Sequence, residues 1–171
     1  MSDWYVLNTA RVWVAAVIHQ GKRVLSLQDE TLIGRRQAEI DFTHVEDHLF
    51  VTTVHKSVEW LVEAHKRNLI DPDITSSFIT AADKARVVRN IREHHLEYLN
   101  GGGKQRSQDV IILELNDGEM TAAVDASSVI ITDEGRLIGG RINVQRLMRE
   151  AISLDPALLE HLNAVMQRES R

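Results

Sequence analysis

The chain has 171 residues, 43% of them hydrophobic and 26% charged, with a formal net charge of −5 and no cysteine. This composition excludes disorder as the main state and permits a self-sufficient core, while the lack of cysteine excludes disulfide staples, thiolate metal sites and a cysteine nucleophile. The acidic balance gives no whole-molecule pull on nucleic acid, and the longest apolar runs, residues 12–18 and 110–113, fall far short of the ~20 residues a spanning helix needs. The opening MSDWYVLNTA lacks the basic and long apolar regions of a secretory signal, so a cytoplasmic protein with no membrane contact is expected.

In chain order, Thr9 to about Leu27 reads as a first helix, weakened by Gly21 and several β-branched residues. Residues 28–36 form a plausible connection. Arg36 to Asn68 then runs without Gly or Pro and reads as one long helix or two nearly continuous ones, with Val51, Val54, Val58, Leu61 and Val62 as the inner stripe. Asp71-Pro72-Asp73 stops it, and Thr80 with Asp83 resembles a capping box for the next helix, which extends to Tyr98 or Leu99. Asn100-Gly101-Gly102-Gly103 ends that helix and begins a polar, basic loop to Gln108.

The period then changes. Residues 109–115 and 119–124 flank Asn116-Asp117-Gly118, and 128–132 and 136–138 flank Asp133-Glu134-Gly135, which predicts a small antiparallel β-meander at about 109–139. Asn143 is a candidate N-cap for a helix over 144–154, and Asp155-Pro156 reads as the start of a last helix to about Gln167. The fold class is therefore α+β: a helical segment over residues 1–100, then a β-meander and C-terminal helices over 101–171 packed on it as one compact unit.

The segment richest in chemistry runs from Arg86 to Tyr98. Between Lys84 and Arg106 six basic residues, Lys84, Arg86, Arg89, Arg92, Lys104 and Arg106, stand against Glu93 and Glu97, a basic patch on an acidic protein. On an ideal helix Arg89 and His94 are separated by about 7.5 Å of rise and ~140° of rotation, with Asn90 between them in azimuth. Their side chains can line one groove, and a two-fold axis would bring two Arg and two His together. A guanidinium that forks onto phosphate oxygens beside an imidazole that moves a proton suits phosphodiester chemistry. Such residues at helical spacing also serve commonly as solvated or ion-paired surface groups.

The run Arg89-Asn90-Ile91-Arg92-Glu93-His94 resembles the R-x4-H motif of the HEPN superfamily, and the segment with Glu93, His94, Tyr98 and the Gly-rich basic loop 101–106 resembles uncharacterised bacterial HEPN-like proteins. The resemblance covers about residues 9–100. It implies a four- or five-helix up-and-down bundle that dimerises along the motif helix. It also implies, for active members, a metal-independent endoribonuclease of toxin or defence-effector type leaving a 2′,3′-cyclic phosphate. Carried onto this chain, His94 is general base or acid, Arg89 stabilises phosphate charge and Asn90 orients one of them. Arg86, Arg92, Lys104 and Arg106 are candidate RNA-backbone contacts, and Glu93 and Tyr98 support the motif. No cofactor is implied; a homodimer, an RNA substrate and an antitoxin or other protein partner are. The alternative within the same family is a non-catalytic homodimeric binding or scaffold protein. Position 96 is Leu where the antitoxin-paired toxins carry the tyrosine of R-x4-H-x-Y, and here the tyrosine is Tyr98. His95 gives a second register, R-x5-H, but on an ideal helix it projects about 240° from Arg89, away from Asn90, so His94 is preferred.

A second constellation is His44, His48, His55 and Glu59, which fall within roughly 60° of azimuth on one helix. His44 and His48 at i, i+4 could share a divalent metal with Asp41, Asp47 or Glu59, or could reach the Arg89/His94 groove. Gly101-Gly102-Gly103-Lys104 follows a helix and lacks the phosphate-loop context; the serines lack a nucleophile elbow; the three tryptophans are dispersed.

Overall fold

The computed structural model describes residues 1–32, 42–104, 108–115 and 120–170. Helix α1 (Asp3–Leu32) starts before Thr9 and continues past Leu27, because Val6, Leu7, Ala10, Val14, Val17 and Val24 form one buried stripe at helical spacing. The connection expected from residue 28 therefore begins no earlier than 33. Gly21 does not break the helix. It is the point of closest approach, where a Cβ would come within 2.5 Å of Met148 Cγ and 3.2 Å of Phe50 Cε2.

Helix α2 (Thr43–Lys66) buries Val51, Val54 and Leu61 completely, whereas Val62 is 38% exposed and lies outside the stripe. The part of the expected long helix before residue 42 falls outside the described residues. Asp71-Pro72 does more than stop α2. The Asp71 carboxylate accepts from the Asp73 N–H at 2.9 Å and Pro72 occupies the first turn, so they open a short helix α3 (Pro72–Ala81) that the pattern did not reveal. Thr80 thus lies inside α3 rather than capping the next helix, and α4 (Ala85–Glu93) follows Lys84 without a side-chain cap.

The motif helix is not continuous to Leu99. It breaks at His94 (φ −105°, ψ 23°), and α5 (His95–Leu99) follows as a separate short turn of helix. The physical reason is the end of the apolar stripe: Ala85, Val88 and Ile91 are buried, but α5 buries nothing, and Leu96 and Leu99 are 74% and 67% exposed.

The β-region forms two antiparallel sheets instead of one. Strands β1 (Val110–Leu115) and β2 (Met120–Asp125) pair in register from Val110↔Asp125 to Leu115↔Met120; the Asn116-Asp117-Gly118 turn lies outside the described residues. Strands β3 (Val129–Thr132), β4 (Gly135–Ile138) and the two-residue β5 (Ile142–Asn143) make the other sheet, in that order. Gly139 and Gly140 adopt φ of +60° and +65°, and a Cβ on Gly139 would stand 3.1 Å from the Ala126 backbone, so this turn seats the second sheet against the β2–β3 connection.

Helix α6 (Val144–Glu169) begins where expected, with the Asn143 side chain accepting from the Arg146 N–H at 2.8 Å, but runs unbroken through Pro156. Leu147, Ala151, Leu154, Leu158, Leu162 and Val165 form a buried stripe across the proline, and Asp155 is held by a two-pronged contact from Arg11 at 2.9 and 3.2 Å. That packing outweighs the lost backbone hydrogen bond.

Helix α1 is flanked by two antiparallel neighbours. Tyr5 meets Trp60 edge to face at 5.9 Å and Arg23 pairs with Glu46, fixing α2; Trp4 N–H with Glu169, Arg11 with Asp155 and Gly21 with Met148 fix α6. One hydrophobic cluster includes residues from both parts of the chain, from Val6 to Val165. Helix α4 lies along α2, and β4 is tied to α2 by a buried pair: Arg136 Nε and Nη2 donate to Asp47 at 3.1 and 2.8 Å, with the side chains 4% and 1% exposed. No helix among the described residues is long and apolar enough to cross a membrane.

Candidate functional site

Arg89 is half-buried on α4, its side chain 27% exposed. Its Nη2 pairs with Glu93 at 2.7 Å, its Nη1 donates to Asn90 Oδ1 at 3.2 Å, and its Nε is buried without a hydrogen-bond partner. Asn90 and Glu93 therefore both act on Arg89, the first orienting it and the second neutralising it. An orphaned buried Nε–H is a standing cost to the fold.

His94 lies at the helix break, where its side chain is 57% exposed and its Nδ1 is 3.0 Å from Glu97 Oε1. An ionised carboxylate only accepts, so the proton of this bond sits on Nδ1, and in the neutral imidazole Nε2 is then the acceptor. Glu97 entered the sequence reading only as a counter-charge. Its separation of three from His94 across a helix start was the available signal. Tyr98 packs its ring on Gly103, whose Cβ position would be 2.5 Å from Tyr98 Cε1, so the tyrosine anchors the start of the basic loop.

The other basic residues divide. Arg86 and Lys104 are exposed, as backbone-contact candidates require. Arg106 lies outside the described residues. Arg92 is spent inside the fold: Nη1 donates to the carbonyls of Ala126 and Ser127 at 3.1 and 3.2 Å, and Nη2 to the carbonyl of His44 at 3.0 Å. The Ala126 and Ser127 carbonyls are presented by a turn that Asp125 locks, accepting from Ser127 and Ser128 backbone N–H groups at 2.8 Å each and from both hydroxyls. Although burial opposes it, these donors hold the Asp125 carboxyl below the usual range.

The histidine stripe of α2 faces α4. His44, Val45 and His48 of α2, Arg92 and Glu93 of α4, His95 and Ser127 line an open pocket of about 460 Å³. Burial, and then the charge of Arg92, hold the His44 and His48 imidazoles below their ordinary pKa. Further along, burial and the cations of Arg89, Lys56 and Arg86 lower His55 against the opposing pull of Glu59. Thus His95, set aside on ideal-helix geometry, shares a pocket with the α2 histidines. The break at His94 resets the azimuth on which that exclusion rested. His94 itself is not among the lining residues.

As metal ligands, the α2 residues separate. The Asp47 carboxylate is turned to Arg136, and Glu59 is taken by Lys56 at 2.7 Å and His55 at 3.3 Å, while Asp41 lies outside the described residues. Among the described residues no group of three or more His, Asp or Glu is set to hold a metal ion. Compared with protein-family models, with curated proteins and with solved structures, the chain matches none.

Proposed function

We propose that the protein is a metal-independent endoribonuclease of HEPN type that works as a homodimer along α4–α5. The observation that carries this reading is the His94–Glu97 hydrogen bond of 3.0 Å at an exposed helix break one turn beyond Arg89. A carboxylate that fixes the tautomer of an imidazole and leaves Nε2 open is the arrangement a general base requires. In this mechanism His94 Nε2 takes the proton of a ribose 2′-hydroxyl, the 2′-oxygen bonds to the adjacent phosphorus, and the bond from phosphorus to the 5′-oxygen breaks. The leaving 5′-oxygen takes the Nε2 proton of the partner subunit's His94, which enters the step as the imidazolium and leaves it neutral, giving a 2′,3′-cyclic phosphate and a 5′-hydroxyl. Arg89, oriented by Asn90, neutralises the phosphate once Glu93 yields it. Arg86 and Lys104 add contacts to the RNA backbone whose strength falls with salt. Leu96 and Leu99, both exposed beside His94, supply the apolar part of the dimer face.

The Arg89–Glu93 pair favours a second reading, a non-catalytic HEPN-like homodimer that binds or scaffolds a partner, because a neutralised guanidinium attracts phosphate weakly. The test is cleavage of a mixed-sequence RNA in excess chelator by wild type, Arg89→Ala and His94→Ala. The nuclease reading expects wild-type cleavage and losses of about 10²–10⁴-fold in each variant. Inactive, folded, dimeric wild type selects the scaffold.

A further inference from the structure

The pocket between α2, α4 and the β2–β3 turn takes no part in that mechanism, since His94 lies outside it. Its volume, about 460 Å³, is in the range of small-ligand sites. The terminal donors of its arginine and the charge of its carboxylate are already engaged within the fold: the terminal nitrogens of Arg92 donate to three carbonyls, and Glu93 is paired with Arg89. What remains to meet a ligand is His44, His48, His95, Val45 and Ser127. Three flat imidazoles offer π faces and, when neutral, one donor and one acceptor each, and burial together with Arg92 favours the neutral form of His44 and His48. A free anion finds no uncommitted cation there, and a metal ion finds no converging group of ligands among the described residues. A planar, uncharged heterocycle with hydrogen-bonding edges fits that volume and that chemistry.

We infer that this pocket is a nucleobase subsite, formed by His44, His48 and His95 with Val45 and Ser127, which holds one base of a bound RNA beside the Arg89/His94 site. That the base belongs to a substrate RNA rests on the ribonuclease reading; that the pocket takes a base does not. Glu93 lines this pocket and pairs with Arg89 at 2.7 Å, so a base held here lies beside the guanidinium assigned to the phosphate. The site is therefore a specificity determinant for the nucleotide at or next to the cleaved bond.

The test is NMR of the full chain with 15N-labelled histidine, titrated separately with uridine, cytidine, adenosine, guanosine, inorganic phosphate, ribose 5-phosphate and zinc chloride. The inference expects at least one nucleoside to shift the ring signals of His44, His48 and His95 saturably and more than those of His94, with inorganic phosphate and ribose 5-phosphate far weaker. Val45→Trp, a change at a 53% exposed position that fills the pocket without touching the core, weakens that nucleoside at least roughly tenfold. No nucleoside response overturns the inference, as does an equal response to inorganic phosphate, which marks an anion site, or a response to zinc alone, which marks a metal site. Cleavage of RNA without a nucleoside response removes the subsite and leaves the nuclease; a nucleoside response without cleavage keeps the pocket and assigns the chain to the binding module.

Discussion

Glu93 and Asp47 show how differently two carboxylates paired with arginine behave. The Arg89–Glu93 pair is about one-third exposed on each side, so its net worth is small, and Glu93→Gln releases the guanidinium at little cost to the fold. On the ribonuclease reading, that change is expected to raise kcat/KM for RNA cleavage by roughly two- to fivefold, the equivalent of an exposed ion pair, whereas a decrease would show that Glu93 itself serves the chemistry. Asp47 is buried against Arg136, and Asp47→Ala removes the carboxylate that holds this guanidinium between α2 and β4. Urea unfolding is expected to show a loss of about 3–5 kcal/mol for that variant, and a smaller loss when Asp47→Leu and Arg136→Met are combined. The residues that carry the candidate chemistry were legible in the sequence because Arg, Asn and His at close spacing are rare enough to notice. Arg92 misled for the same reason, since spacing cannot tell that three carbonyls await its guanidinium.

At the scale of elements, the face of α2 that meets α4 makes the fold pH-sensitive. His44, His48 and His55, with burial as the leading cause in each, and His65 by burial, all have folded pKa values below the unfolded one of about 6.5. The unfolded chain therefore binds more protons just below that value, so stability is full above it and falls as the pH drops through the folded pKa values. The thermal midpoint is expected to decline between pH 7.5 and pH 5 by more than the carboxylates alone would cause at about pH 4 and below. His48→Gln with His55→Gln flattens that decline, and an unchanged slope would contradict it. Helix propensity gives a second check at Gly21. Gly→Ala in a helix gains about 1 kcal/mol by propensity, yet here the added methyl meets Met148 and Phe50, so Gly21→Ala is expected to destabilise by about 1 kcal/mol net. Sequence reading missed α3, the break at His94 and the continuity of α6 through Pro156. The break at His94 and the continuity of α6 were decided by whether a buried stripe continues, while α3 was signalled by Asp71-Pro72, a helix start that also reads as a stop.

For the whole molecule, the division at residue 100 has little physical meaning, because α6 packs directly on α1 and closes the core the first helices open. Periodicity exposed the mainly helical character and the late antiparallel hairpins. It could not show that α6 returns to α1 or that β4 is bolted to α2, since both depend on pairs such as Asp47 and Arg136 that are 89 residues apart. Association belongs to this scale as well. On the proposed homodimer, Leu96→Glu with Leu99→Glu, both at exposed positions, is expected to shift sedimentation from dimer to monomer, and a wild type that sediments as monomer contradicts that dimer. The most direct test of the ribonuclease reading is the chemistry of its ends: a defined oligoribonucleotide cleaved in chelator, beside the same oligonucleotide with a single 2′-deoxy at the cleaved position. The mechanism at Arg89 and His94 predicts 2′,3′-cyclic phosphate and 5′-hydroxyl products from the first and none from the second. Cleavage of the 2′-deoxy substrate, or products bearing 5′-phosphate, would contradict it.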